Sequence, residues 1–96
     1  MLGYCFYEIV KVIDPQKLES YHKQVLVTID SFGGKYLIFG GNAIPLEGIR
    51  KYTPSTLIEF PNLTLAEKWY HSDDHNQIKN LRDQAATFNC FLLEGF

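Results

Sequence analysis

The sequence has no basic stripe, no CxxC pair and no apolar run of membrane length, and each absence removes a class of function. Nine Lys and Arg stand against 11 Asp and Glu in 96 residues, and the cations are scattered from Lys11 to Arg82. Gripping a phosphate backbone takes clustered Lys and Arg, so no nucleic acid partner is expected. The two cysteines, Cys5 and Cys90, stand alone in apolar strand-like runs, "YCFYEIV" and "FNCFLL". With no third or fourth thiol nearby they signal neither a zinc site nor a disulfide framework, and two free buried thiols are expected. The opening "MLGYCFYEIVKVIDP" lacks a basic start followed by an unbroken apolar stretch, because Glu8 and Lys11 interrupt it. No segment approaches the roughly 20 apolar residues of a membrane span. A cytoplasmic protein with no membrane partner is expected.

No repeats, linkers or low-complexity tracts interrupt the chain, so residues 1–96 are expected to form one domain. At this length folding hides only roughly 60 to 65% of the surface that the unfolded chain exposes. Residues 4 to 13 mix aromatic and β-branched types without a helical period and read as a strand. In "DPQKLESYHKQVLVTIDSFGG" Asp14 is placed to cap a helix, Pro15 suits its first position, and Leu18, Tyr21, Val25, Ile29 and Phe32 repeat at steps of three and four. Gly33 and Gly34 end that helix. "KYLIFGGNAI" is a second strand, with a bulge or close backbone approach expected at Gly40 and Gly41, and Ser55 to Phe60 is a third. Asn62 or Thr64 opens a second helix, a short third helix carries Ile78, Leu81 and Ala85 inward, and Thr87 to Glu94 forms the last strand.

Strand, helix, strand, strand, helix, strand, with an extra short helix before the last strand, is the α+β order of ferredoxin-like βαββαβ domains, which have an antiparallel sheet with its helices on one side. The strands are nonetheless apolar on both faces. Tyr4, Phe6, Val10 and Val12 alternate with Cys5, Tyr7, Ile9 and Ile13, while Phe88, Cys90 and Leu92 alternate with Phe91 and Leu93. Antiparallel sheets normally turn a polar face to water. A second copy packing sheet to sheet is therefore expected, making a homodimer. If the first and last strands pair along their lengths, Cys5 is expected near Glu94 and Cys90 near Ile9, with the thiols beyond disulfide reach.

The segments "GGKYLIFGG", "LEG", "IEFPNL", "EKWYHS" and "LLEGF" together resemble, over nearly the whole chain, the bacterial family called domain of unknown function 1330. The resemblance implies a dimeric α+β barrel, in which two ferredoxin-like sheets close into one barrel. Members often carry Arg before the second glycine pair and "SPEY" after the second helix, where this chain has Phe39 and "SDDH". An anion-binding role is thus not carried over to position 39, and His75 stands in place of the tyrosine.

The densest polar stretch is "WYHSDDHNQ", Trp69 to Gln77. Ser72 is placed to cap the third helix, with Asp73 and Asp74 in its first turn, where the helix dipole favours negative charge. His71 precedes that cap and His75 follows it, so the two lack the one-helix geometry of a metal pair, and no metal is expected. An unperturbed imidazole titrates near neutral pH, so His75 is a candidate pocket acid or base. Glu8 and Glu59 lie inside apolar strands, as candidate general bases or as carboxylates paired with Arg50, Lys51 or Arg82. Arg82 is a candidate clamp for a polar group, and Tyr70 carries a hydroxyl beside the joint. Trp69, Tyr70, Tyr7, Tyr36 and Phe39 are candidates for an aromatic lining. Three functions follow. The first is a small enzyme needing no cofactor, an isomerase or monooxygenase-like catalyst acting on a small-molecule ligand between sheet and helices, with His75 or Glu8 moving a proton and Arg82 or Tyr70 holding a polar group. The second is a binding or regulatory module using the same pocket, and the third is haem binding through His71 or His75, by fold analogy alone.

Overall fold

A computed structural model of residues 1–96 gives the order β1 (Gly3–Val12), α1 (Pro15–Ser31), β2 (Lys35–Gly41), β3 (Ser55–Phe60), α2 (Leu63–Tyr70), α3 (Asp73–Ala85) and β4 (Ala86–Glu94). The strands form one antiparallel sheet in the order β2-β3-β1-β4. This is the ferredoxin-like α+β fold. The chain measures 37 × 36 × 16 Å. The short dimension fits one sheet and one helix layer, so a single chain covers only one face of its sheet.

The core lies between those layers. Cys5, Tyr7, Ile58 and Phe60 from the strands meet Tyr21, Val25 and Ile29 of α1 and Ala66 and Trp69 of α2. Helix α1 starts where Asp14 accepts hydrogen bonds from the backbone N–H groups of Gln16 and Lys17, with Pro15 at its first position. It stops at Gly33, whose φ of 75° is left-handed. The N–H of Gly33 then donates to Asp30 and that of Gly34 to Ile29, a paired closure that satisfies two terminal carbonyls. Asn62, not Thr64, caps α2 by accepting from the Leu65 N–H at 2.8 Å. In β2 the pairing with β3 slips between Tyr36 and Ile38 and again between Ile38 and Gly41, so the glycine-rich strand is bulged.

Two expectations need correction. Helix α3 is not a short insert, since its 13 residues exceed the eight of α2. It runs straight into β4 without a loop, and the Ala85 carbonyl at that junction accepts from the N–H groups of Ile13 and Asp14 at 2.8 and 2.9 Å. The cysteines are also closer than expected. Cys5 pairs with Leu92, and Cys90 with Tyr7, so the thiols are diagonal neighbours on one face, with Sγ atoms 3.6 Å apart. Both thiols are free.

Candidate functional site

The stretch after α2 is a capped joint. Ser72 Oγ accepts from the His75 N–H at 3.2 Å and donates to the Trp69 carbonyl at 2.7 Å. That turn directs His75 inward, where it is fully buried. Its Nδ1 lies 3.0 Å from the Tyr70 carbonyl and its Nε2 3.2 Å from the Tyr21 hydroxyl. A carbonyl can only accept, so Nδ1 carries the proton and Nε2 accepts from Tyr21. Both ring nitrogens are engaged, and burial pulls the imidazole pKa below its usual value, keeping it neutral. His71 is exposed. No group of three His, Cys, Asp or Glu side chains converges in the geometry of a metal site.

Beneath α3 lies a cavity of about 10 Å³, space for about one water-sized molecule. His75, Tyr70 and Arg82 all line it, together with Tyr7, Trp69 and Cys90. Arg82 is only 9% exposed, and its guanidinium lies over the Phe88 ring at 4.7 Å. Burial works against the Arg82 charge, but neighbouring Tyr70, Tyr21 and Cys90 outweigh it and hold the guanidinium pKa above its usual value. The Cys90 thiol is pulled down to about 7 by its hydrogen bond with Cys5, against the effect of burial and with help from Arg82 and Lys79. The Cys5 thiol is pushed up by that same bond and by burial, so Cys5 keeps its proton.

A second concavity, a groove of about 800 Å³, runs beside α1 and past the end of β2. Leu18, Leu26 and Phe39 make it apolar, and His22 and Tyr36 stand in its wall. His22 Nε2 lies 3.4 Å from the Tyr7 hydroxyl, and the Phe39 ring meets the imidazole edge to face at 4.9 Å. Burial pulls the His22 pKa down and pushes the Tyr7 and Tyr36 hydroxyls up, so a neutral imidazole faces protonated phenols. The Tyr36 hydroxyl is buried beside the Tyr7 hydroxyl, with no hydrogen bond of normal geometry to it or to any other group. Tyr7 links the two voids, since it lines the cavity and its hydroxyl reaches the groove histidine. His22 was not among the residues singled out from the sequence, whereas its neighbours Tyr7, Tyr36 and Phe39 were, as candidates for an aromatic lining. The available signal was that His22 flanks the apolar stripe of α1, four residues after Leu18 and three before Val25.

Glu8 stands apart from both voids. It alternates with Cys5 and Tyr7 and so lies on the open face of the sheet, where its side chain is buried beneath loop and strand neighbours. Arg50 donates to it as an ion pair, Asn89 donates at 3.1 Å and Thr53 at 3.5 Å. Glu59 pairs with Lys35 at 3.5 Å. The fold therefore gathers His75, Tyr70 and Arg82 and separates Glu8 from them.

Residues 2–96 match the family described as Domain of unknown function (DUF1330). The chain belongs to that family. No curated protein matches it in sequence. Among solved structures, this DUF1330 chain is similar to RPA0582, a protein of unknown function from Rhodopseudomonas palustris, with 13% identity over 99% of this chain and 82% of that one and a TM-score of 0.75. A dimeric protein of unknown function with a ferredoxin-like fold from Bacteroides fragilis is 10% identical, with 98% and 96% covered and a TM-score of 0.55. A structure described as an antibiotic biosynthesis monooxygenase is 7% identical, with 100% and 99% covered and a TM-score of 0.55. At such identities the likeness is one of fold. No helix of the DUF1330 chain is long and apolar enough to cross a membrane.

Proposed function

We propose that this chain works as a homodimeric enzyme that binds a small, largely apolar molecule with one carbonyl or phenol-like oxygen in the groove beside α1, and moves a proton on it without a cofactor. The observation that carries this reading is the buried hydroxyl of Tyr36, which lacks a hydrogen bond of normal geometry, in a residue that shares the groove wall with His22. A buried polar atom without a partner is costly, and a ligand oxygen would relieve it. His22, neutral through burial, is the general base. Tyr7 and Tyr36, held protonated, donate to the oxygen on which charge develops. Proton removal next to a carbonyl and its return at another atom is an isomerisation, balanced within the substrate. His75 lacks a free ring nitrogen and serves by positioning Tyr21, while Arg82 and Tyr70 act in the inner cavity.

The dimer is supported by the open face. Phe91 and Leu93 of β4 and Ile38 of β2 are about half exposed there, and the Bacteroides fragilis relative is described as dimeric. In that assembly Glu8 and Arg50 lie near the sheet-to-sheet contact. Light scattering should give twice 11.1 kDa, and a monomer at micromolar concentration overturns the barrel.

The groove is tested by amide NMR with a panel of small aromatic ketones in heavy water. Binding should shift the signals of His22, Tyr36 and Phe39, and the bound ketone should exchange its α-protons for deuterium. His22→Ala should keep binding and lose exchange. Binding without exchange in the wild type identifies a binding module instead, and shifts elsewhere or nowhere refute the site.

A further inference from the structure

Arg82 is the one nearly buried cation of the chain, and none of its salt bridges includes it: Lys23 pairs with Glu19, Lys35 with Glu59 and Arg50 with Glu8. A cation so little exposed and without a carboxylate partner is costly, so an anion is expected beside it. The cavity that Arg82 lines has no carboxylate in its wall, but it does have the thiol of Cys90. Cys90 is partly accessible and Cys5 fully buried behind it, with 3.6 Å between the sulfurs. A disulfide needs about 2.05 Å, so closing the pair takes a shift of about 1.5 Å between diagonal neighbours of adjacent strands. The void beside them has room for about one water-sized molecule, which suits hydrogen peroxide far better than a bulky disulfide oxidant.

We propose that Cys90 is a peroxide-reactive thiol, with Arg82 stabilising its thiolate and Cys5 as its resolving partner. The Cys90 thiolate attacks one peroxide oxygen. The O–O bond breaks, hydroxide leaves and takes up a proton as water, and Cys90 becomes a sulfenic acid. Cys5 Sγ then attacks the Cys90 sulfur, the S–O bond breaks, the departing hydroxide takes the Cys5 thiol proton and leaves as a second water, and an intrachain disulfide joins β1 to β4. Overall two thiols are oxidised and one peroxide is reduced to two waters. Cys90 has the Cys5 sulfur 3.6 Å away and shares its cavity wall with Arg82, and these neighbours hold its pKa low, which favours the reactive form. The groove chemistry does not use either sulfur, so this site stands or falls by itself.

The test treats the purified full chain with a few equivalents of hydrogen peroxide, blocks remaining thiols under denaturing conditions and reads the intact mass. The expected product has lost two hydrogens, takes up no alkylating reagent, migrates as a single chain without reductant and recovers both thiols in dithiothreitol. Two thiols still alkylated, a product that dithiothreitol cannot reduce, or covalent links between chains would each overturn the proposal. Cys5→Ser should leave a sulfenic acid on Cys90 that dimedone traps, whereas Cys90→Ser should leave Cys5 unreacted. Dimedone on Cys5, or on neither cysteine, refutes the assigned order. Arg82→Gln should slow Cys90 oxidation by about tenfold, as expected for a thiolate that loses its stabilising charge. An unchanged rate removes Arg82 from the site.

Discussion

On the helix-covered face of the sheet, Cys5, Ile58 and Phe60 are completely buried, whereas one residue along, on the open face, Phe91 and Leu93 remain about half exposed. The two faces are built from similar side chains, and what differs is the presence of a layer above them. The covered face draws its partners from α1 and α2 of the same chain, and the open face has only the loop bearing Arg50 over Glu8. Apolar character along a strand thus says how much cover it needs, and the length of the chain says how much of that cover is its own.

The comparison breaks first at Phe60. Phe60→Ala should cost about 3–5 kcal/mol in urea unfolding, because nothing can fill the space between sheet and helices. A loss below about 1 kcal/mol would mean that the covered face is not the core. The matching change on the open face is Phe91→Lys, which should leave the far-ultraviolet dichroism intact and weaken self-association at least about tenfold, or about 1.4 kcal/mol, in sedimentation. Unfolding by Phe91→Lys would erase the distinction between the faces.

Smaller effects sharpen the picture within the helix layer. Ser72→Ala removes the hydroxyl that caps α3 and should lower stability by about 0.5–2 kcal/mol in the same urea experiment. A silent Ser72→Ala would show that the joint is held by packing alone. The last effect is a pH slope. His75 and His22 have folded pKa values lowered by burial from the usual 6.5. The unfolded chain therefore takes up protons before the folded one, so stability is complete above about pH 6.5 and declines as pH falls below it. Thermal melts from pH 8 to 5 should show this decline, and His75→Gln should flatten it in part, with His22 supplying the remainder. A melting temperature that rises on acidification contradicts the buried, neutral imidazoles.

The element order, the Asp14 and Ser72 caps, the glycine stop after α1 and the bulged β2 were all legible, because each rests on local chemistry. The register of β1 against β4 was not. Placing Cys5 opposite Glu94 instead of Leu92 is a slip of two residues, and such a slip keeps every side chain on its own face. Alternation therefore carries no signal against it, and the nearness of the two thiols stayed hidden. The separation of Glu8 was readable in the same alternation, since it shares the parity of Phe6 rather than of Cys5 and Tyr7. His22 was harder to see because an imidazole at the border of an apolar stripe has the same pattern whether it meets water or a groove.

The junction of α3 and β4 has a mechanical meaning. With no connecting residue, and with the Ala85 carbonyl tied to both N–H groups at the entrance to α1, the end of α3, the start of α1 and the beginning of β4 are bolted at one point. That corner has no hinge. The opposite edge is built differently: β2 is bulged, Gly40 adopts a left-handed φ of 63° and residues 42–54 connect to β3 without regular structure. The groove is thus bounded on one side by a tied corner and on the other by an edge with few ties, where Phe39 meets His22.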